Sequence, residues 1–438
     1  MKKICLAVIA ALAFVQPVWA EEVPGMPRDI LSGEKKKMTM NLEECIDYTI
    51  KHNPELLIRK EQLEEAQAFV GLAFSEILPN ARFQGQYNRY DNHPYISYMQ
   101  NYDYAMNAQQ LVFAWGRALN NIKSARLSAK AADDRVAVQR QDVRFRVEDA
   151  FYNVLFAREL VRIATETLDL AEEQLRVAQE RYKAGETSNY DVLREEVNVA
   201  NLKPQLIKAL NQAQTTKNFL KFIMGLEMTT DLQLKGQFEE IMEDAEVDAA
   251  VKEGLANRPE IREVKNREEA KKADIYATWV QYLPQMTIGV SNLNALEQAF
   301  SPNRAPWSDY WIASVNVTMP IFDGFRIKSQ AEAEQARLKQ IRTQKERVNQ
   351  TVKLEVINAI LDMKAARELV LSQAKNVERA TEGYEIMTKR YAGGKATQVD
   401  LLDAQVALTQ AKVNYVQAVF AQLVSRARYK QAVGEYAK

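Results

Sequence analysis

The sequence predicts a mixed α/β membrane fold in which two tandem repeats each combine a pair of strands with two long helices. Gly and Pro number only 15 and 12 in 438 residues. They make up about 3% each, against a usual 7% and 5%, so the elements should be long and the turns few. The hydrophobic period changes from about 3.5 to 2 at two places along the chain, which predicts strands between helices. Landmark residues also recur in the same order in both halves.

The first residues predict a signal peptide over 1–20. Two lysines precede a short apolar run over 4–15, and a cleavage site with small residues follows at 18–20. The run is too short to span a bilayer as a helix, and no later uncharged run is long enough. We therefore predict export without a helical anchor and an N-terminal periplasmic segment over 21–40.

Internal similarity predicts two repeats, over 41–224 and 247–438, with a linker over 225–246. Matched dipeptides lie at offsets of 205 and then 209: Leu78-Pro79 with Leu283-Pro284, and Arg181-Tyr182 with Arg390-Tyr391. Matches in a constant order and at nearly constant offset are the signature of a repeated structural unit. Each repeat is predicted to run helix, two strands, long helix, sharp turn and return helix.

One helix of each repeat has the length of a rod. Residues 117–183 contain neither Gly nor Pro, and a helix of that length would extend about 100 Å at 1.5 Å per residue. Apolar residues recur every 3.5 residues on average between Val147 and Tyr182, which is typical of a coiled-coil seam. A helical bundle core would explain the seam equally well, but not the length. The predicted long helices are 117–183 and 325–391, and the return helices are 189–224 and 398–434.

Four strands show apolar residues on one face and polar residues on the other. Phe83 and Tyr87, for example, alternate with Arg82 and Gln84. The predicted strands are 80–91, 102–113, 285–294 and 309–319. Their length and alternation are typical of transmembrane β-strands with an apolar face toward outer membrane lipid. A soluble sheet packed on the helices has the same periodicity, and export without a helical anchor favours the membrane interpretation.

Four strands are too few to close a membrane barrel. The smallest such barrels have about eight strands, and an open edge in lipid leaves backbone groups without hydrogen-bond partners. The chain is therefore expected to oligomerise. Symmetry alone leaves open whether two, three or four copies complete the barrel.

The turns after the two long helices have matching sequences: Arg181-Tyr182-x-x-Gly185-x-x-Ser188-x-x-Asp191 and Arg390-Tyr391-x-x-Gly394-x-x-Thr397-x-x-Asp400. Glycine accepts the positive φ at which many helices end, and Ser or Thr caps the helix that follows. An aspartate in the first turn suits the positive end of the helix dipole. A helical hairpin without any partner would use the same residues.

An acidic pair follows the second turn. Asp400 and Asp403 are three residues apart, so both carboxylates lie on one helical face. Such a pair on its own is usually a solvated patch. The first repeat has Arg194 where the second has Asp403, so only the second repeat carries the pair.

This arrangement resembles the TolC-like channels of the outer membrane efflux protein family. The residues that carry the resemblance are the two Leu-Pro dipeptides before strands, the segment Pro320-Ile321-Phe322-Asp323-Gly324 before the second long helix, and the two turns. The resemblance covers about 41–434. It implies a homotrimer with a 12-strand transmembrane β-barrel in the outer membrane and a 12-helix α-barrel through the periplasm.

The resemblance also implies a function and its site residues. The trimer would be the exit duct of a tripartite efflux or type I secretion system, bound to a periplasmic adaptor and a proton-driven or ATP-driven inner-membrane pump. Asp400 and Asp403 would line a periplasmic constriction that attracts cations. The implied adaptor-docking residues are Arg181, Gly185, Ser188, Asp191, Arg390, Gly394 and Thr397.

Other classes of function have less support in the sequence. A periplasmic coiled-coil adaptor or scaffold would share the long helices but would not need strands at repeat-matched positions. With two His and two Cys, and no nucleophile with a base, metal cluster or phosphate loop, we expect no enzyme, no cofactor and no metal site. The equal counts of 58 basic and 58 acidic residues argue against general nucleic-acid binding.

Overall fold

A computed structural model describes residues 37–93, 96–236, 238, 246–297 and 307–437. The predicted signal peptide over 1–20 and residues 21–36 of the predicted periplasmic segment lie outside the described residues. Within them, the helices are α1 (Leu42–His52), α2 (Pro54–Ser75), α3 (Arg117–Lys183), α4 (Asn189–Met224), α5 (Val247–Asn257), α6 (Pro259–Trp279), α7 (Arg326–Ala392) and α8 (Gln398–Val433). The strands are β1 (Lys37–Met40), β2 (Asn80–His93), β3 (Ile96–Phe113), β4 (Asp231–Leu234), β5 (Gln285–Glu297) and β6 (Trp307–Thr318).

The strands of the first hairpin extend further than the sequence predicts. A polar and aromatic loop is expected over 91–101, but the antiparallel ladder continues to the pair His93 and Ile96. Ladder hydrogen bonds join backbone groups, so pairing can persist where the alternation of side chains ends. For the same reason β5 continues to Glu297 and β6 begins at Trp307.

A small parallel sheet joins two segments for which the sequence predicts no strand. β1 lies in the predicted periplasmic segment and β4 in the predicted linker, and Lys37 pairs with Asp231. The Lys235 amide then donates to the Met40 carbonyl at 2.9 Å. Strands of four residues are too short to show a convincing alternation, which is why the pattern does not reveal them.

The larger sheet is antiparallel, in the order β2-β3-β5-β6. Its apolar face is exposed, with Phe83 at 70% and Val317 at 66% exposure. Its other face lines an open cavity with polar side chains: Arg82, Gln84, Asn107, Gln109, Thr287 and Ser314. Within the described residues the sheet is open, because β2 and β6 each pair with one strand only.

The long helices pack as two hairpins, α3 with α4 and α7 with α8, and α3 also contacts α2, α6 and α8. The main core lies midway along α3, where Val147 and Phe151 pack with Cys45, Leu220 and Val419. None of the helices in the described ranges is both long enough and apolar enough to cross a bilayer.

Charged residues join α6 to α7. The Glu268 carboxylate accepts hydrogen bonds from Lys345 at 2.9 Å and from Arg342 at 3.3 Å, and Lys272 lies 3.3 Å away. These bonds, that of Lys345 first, lower the pKa of Glu268 to about 2. The folded state therefore favours the ionised carboxylate. The cluster stabilises the contact between α6 and α7 most strongly at pH values above the pKa that Glu268 has in the unfolded chain.

Substituting Glu268→Gln is expected to lower the free energy of unfolding by about 2 kcal/mol at pH 7, the scale of a hydrogen bond to a charged group. Because the folded pKa is depressed, the stabilisation is complete above the unfolded pKa of about 4.3 and is lost as pH falls toward 2. Urea unfolding followed by circular dichroism, at one protein concentration and at several pH values, measures this. The exposed Glu332→Gln is the control and should change little. An equal loss at pH 7 and pH 2 would refute the prediction.

Candidate functional site

The two helical tips, tip 1 over 181–195 and tip 2 over 390–403, contain all of the predicted site residues. Gly185 has φ 78° and Gly394 has φ 68°. In tip 1 the Glu186 amide donates to the Arg181 carbonyl at 2.9 Å. Tip 2 has the same bond from Lys395 to Arg390 at 2.8 Å. Both turns are thus glycine C-caps of the Schellman type, in which the left-handed conformation favours glycine.

The space that a side chain would occupy at each of these two glycines is empty. A Cβ added at Gly185 or at Gly394 would meet no heavy atom within 4 Å. Backbone conformation, and not crowding within the protomer, is therefore what requires glycine at these positions. A larger side chain there would project from the end of the hairpin.

A reciprocal capping box begins each return helix. The Asp191 amide donates to the Ser188 hydroxyl at 3.3 Å, and the Ser188 amide donates to the Asp191 carboxylate at 3.1 Å. Thr397 and Asp400 make the same pair of bonds at 3.3 and 2.9 Å. The sequence predicts the caps but not the return bonds, although the S/T-x-x-D spacing is a signal for them.

The capping box sets the ionisation of Asp400. The hydroxyl of Thr397 donates a hydrogen bond to the Asp400 carboxylate at 2.7 Å. This bond, then the Thr397 amide and the charge of Arg390, lower the pKa of Asp400. Asp400 is therefore a local structural residue as well as a charge at the tip, and it is ionised at neutral pH.

The remaining acidic residue of the tip is free of such a bond. Asp403 is exposed one turn further along α8, and nothing in the described part of the chain donates a hydrogen bond to it. Asp400 is exposed as well. The structure thus brings the two predicted constriction residues to one exposed part of α8 and gives them different local roles.

The tips also bind each other, and sequence analysis does not find these contacts. Arg181 donates to the Ala392 carbonyl at 3.1 Å, and its guanidinium lies 5.0 Å from the centre of the Tyr391 ring. In the other direction, Gln398 donates to Glu195 at 2.6 Å. Gln398 is 8% exposed and Glu195 is 3% exposed. The second-repeat arginine, Arg390, instead donates within its own tip, to the Lys395 carbonyl at 3.5 Å.

Relatives of the chain include export proteins of similar length. It is 22% identical over 421 residues to the pyoverdine export outer membrane protein OpmQ of Pseudomonas putida, covering 90% of this chain and 85% of the relative. It is 23% identical over 424 residues to the cobalt-zinc-cadmium resistance protein CzcC of Cupriavidus metallidurans, covering 95% and 96%. The crystal structure of the CmeC outer membrane channel of Campylobacter jejuni has the same fold, with a TM-score of 0.79 at 19% identity, covering 90% and 85%.

The model of a protein family described as outer membrane efflux protein matches residues 45–226 and 250–435. These two ranges overlap the predicted repeats, 41–224 and 247–438. The family consists of channels, so the alternative of a periplasmic adaptor or scaffold is wrong. Because the match covers most of both repeats, the chain belongs to the outer membrane efflux protein family and is an outer membrane efflux channel that extends into the periplasm.

Proposed function

We propose that three copies of the chain form the exit duct of a tripartite efflux system. The observation that carries the proposal is the open sheet, whose edges are β2 and β6 and whose apolar face is exposed. Three four-stranded sheets joined edge to edge would give a 12-strand transmembrane β-barrel, which satisfies every edge and turns the apolar face toward lipid. The polar face would then line the duct.

The helices would continue this duct through the periplasm. Each copy has four long helices, α3, α4, α7 and α8, so three copies supply a 12-helix α-barrel. α3 and α7 have 67 residues each, which is about 100 Å of helix. That length suits a conduit between two membranes.

We propose that the tips dock onto a periplasmic adaptor, which connects the channel to a proton-driven or ATP-driven inner-membrane pump. The support is the pair of exposed turns with open space beside both glycines. The docking residues would be Arg181, Gly185, Ser188, Asp191, Arg390, Gly394 and Thr397. Asp400 and Asp403 of three copies would form an acidic periplasmic constriction that prefers cations.

The cargo would be chosen by the pump and adaptor. The names of relatives refer to pyoverdine in one case and to cobalt, zinc and cadmium in another. A channel fold shared by proteins with such different cargo supports a duct of broad tolerance, as does the polar lining of the sheet. We therefore assign to this chain passage of the cargo and not its selection.

Fractionation and mass measurement test the proposed duct. The protein should be recovered from the outer membrane fraction, and its detergent-solubilised form should have three times the mass of the mature chain by light scattering. Reconstitution into planar bilayers should give cation-preferring conductance. A monomeric or dimeric mass, or the absence of conductance, would contradict the proposal.

A further inference from the structure

The two repeats already form one interface within the chain, and the inner corner, residues 115–117 between β3 and α3, lies at its centre. The indole of Trp115 donates to the Pro284 carbonyl at 2.8 Å, and the hydroxyl of Tyr276 donates to the Trp115 carbonyl at 3.3 Å. Arg117 donates to the Gln285 side chain at 2.9 Å. These three partners of the corner all belong to the second repeat, whereas the Gly116 carbonyl accepts from Asn120 within the first repeat.

The second repeat has an outer corner with the same backbone, at residues 324–326 between β6 and α7. Trp115 and Gly116 have φ values of 52° and 76°, and Gly324 and Phe325 have values of 66° and 64°. The glycine and the aromatic residue have exchanged places. Side chains larger than glycine rarely adopt positive φ, yet Phe325 does so while 62% exposed. Within the described residues, the ring of Phe325 contacts that of Phe322 edge-on at a centroid distance of 5.5 Å, and most of the side chain stays open to a neighbouring molecule.

The first repeat has a glycine in the interior of a helix. The repeat offset places Gly71 where the second repeat has Tyr276. Gly71 lies inside α2, is exposed, and a Cβ added to it would meet no heavy atom within 4 Å. Glycine destabilises a helix interior relative to alanine. No described residue of the protomer crowds this position, so it is open to a neighbouring molecule.

The large side chain of Phe325 and the open space at Gly71 are complementary in size. A Cβ on Gly116 would lie 3.7 Å from Asn120 Nδ2 and 3.9 Å from the Tyr276 ring, so a side chain at that corner position would lie beside position 276. At the outer corner the same position holds Phe325, and the counterpart of position 276 is Gly71. Within the chain, the small Gly116 lies beside the large Tyr276. Between copies, the equivalent positions would hold the large Phe325 and the small Gly71.

We propose that Phe325 of one copy packs onto Gly71 of the neighbouring copy, in a knob-and-notch contact that joins successive protomers. Beside it, Arg326 would donate to Asn80 of the neighbour, as Arg117 does to Gln285. This contact rests on the proposed assembly of several copies, which it equips with a head-to-tail interface. Because the large residue is on the corner in one contact and on the helix in the other, Phe325 would clash with Tyr276, and the inner and outer corners cannot exchange partners.

The strand edges support the same arrangement. Ala108 of β3 lies opposite Val290 of β5. At the repeat offsets of 209 and 205, the residues equivalent to this pair are Val317 of β6 and Gly85 of β2. In the proposed assembly Val317 of one copy would therefore lie opposite Gly85 of the next. Val317 belongs to the exposed apolar face, and Gly85 lies on the same face as the exposed Phe83. A slip of one residue would place apolar side chains opposite polar ones.

A size-exchange experiment tests the contact. Gly71→Tyr should reduce assembled oligomer in the outer membrane about tenfold, and Phe325→Gly should also reduce it, while the double variant restores assembly to within about twofold. The double variant recreates the small-to-large order found at Gly116 and Tyr276. Native gel electrophoresis of detergent extracts measures the oligomer, and circular dichroism of each variant verifies its folding. Failure of the double variant to recover assembly would overturn the contact.

A cysteine pair separates this contact from the assembly itself. In a Cys45→Ala background, Gly85→Cys with Val317→Cys should form disulfides between copies. Gly85→Cys with Thr318→Cys should not, because the two side chains lie on opposite faces. Cross-linking by the first pair without rescue by the size exchange would refute the Phe325 contact and leave the proposed duct intact. No cross-linking and no oligomer of the unmodified chain would refute both.

Discussion

Substitution of Gly394→Trp is expected to abolish efflux while the channel remains at its normal level in the outer membrane. The turn is exposed, and a Cβ at this position would meet no heavy atom within 4 Å. The indole would therefore project into the surface proposed to contact the adaptor. A loss of 1.4 kcal/mol in docking already lowers affinity tenfold, so we expect efflux to fall about tenfold or more. Gly185→Trp should act in the same way at tip 1.

Asparagine at the same position is the matched control. It tolerates the left-handed conformation better than other side chains do, and it adds little bulk. Gly394→Asn should therefore keep both the turn and efflux. Cellular accumulation of ethidium, in a channel-deletion strain with the adaptor and pump of the same genome, measures efflux, and immunoblotting of outer membranes measures the channel. Normal efflux by Gly394→Trp would contradict adaptor docking at the tip, and loss of both variants from the membrane would indicate a structural effect.

The second large effect is expected from Asp403→Ala, which should raise single-channel conductance and weaken block by divalent cations. In a trimer it removes three carboxylates from the proposed constriction and breaks no capping bond. The attraction between unit charges 4 Å apart is on the order of 1–4 kcal/mol near a protein surface, so we expect block to weaken about tenfold. Planar-bilayer recordings with increasing Mg²⁺ measure this. Unchanged block would exclude Asp403 from the constriction.

The capping role of Asp400 has its own control. Both Asp400→Asn and Asp191→Asn remove the charged partner in the capping box of a return helix, which should weaken the cap in each tip. Tip 1 has Arg194 in the place of Asp403, so Asp191→Asn should leave cation block unchanged. Because the pKa of Asp400 is lowered, its contribution to the cap is present above the unfolded pKa of about 3.9 and is lost at lower pH. Equal effects of both variants on block would contradict an acidic constriction.

The long helices are the elements that sequence analysis predicts most closely. The predicted range 117–183 coincides with the observed α3, and 325–391 differs by one residue at each end from α7. Both helices lack Pro in the interior and have a glycine beyond the end, which are local signals. α3 also lacks Gly, whereas α7 contains Gly383. The strand ends, in contrast, depend on backbone pairing with another strand, which no local pattern reports.

The residues of the two tips also differ in how far they can be predicted from the sequence. Gly185 and Gly394 are readable as helix ends, and Ser188 and Thr397 as caps, because each acts on backbone within a few residues. The contacts of Arg181 with Ala392 and of Gln398 with Glu195 join residues about 200 positions apart. Polar residues buried in such a contact have no sequence signal, since their partners are chosen by packing of the hairpins.

The two repeats, the long helices, the glycine turns and the alternating strands are predicted from sequence alone, because periodicity and backbone preferences act over short distances. The packing of the whole chain sets which sheet edges stay open and which tip residues bind each other. The tertiary structure also reveals the left-handed conformation of Phe325. These features depend on contacts or backbone angles that an element acquires when distant parts of the chain pack together.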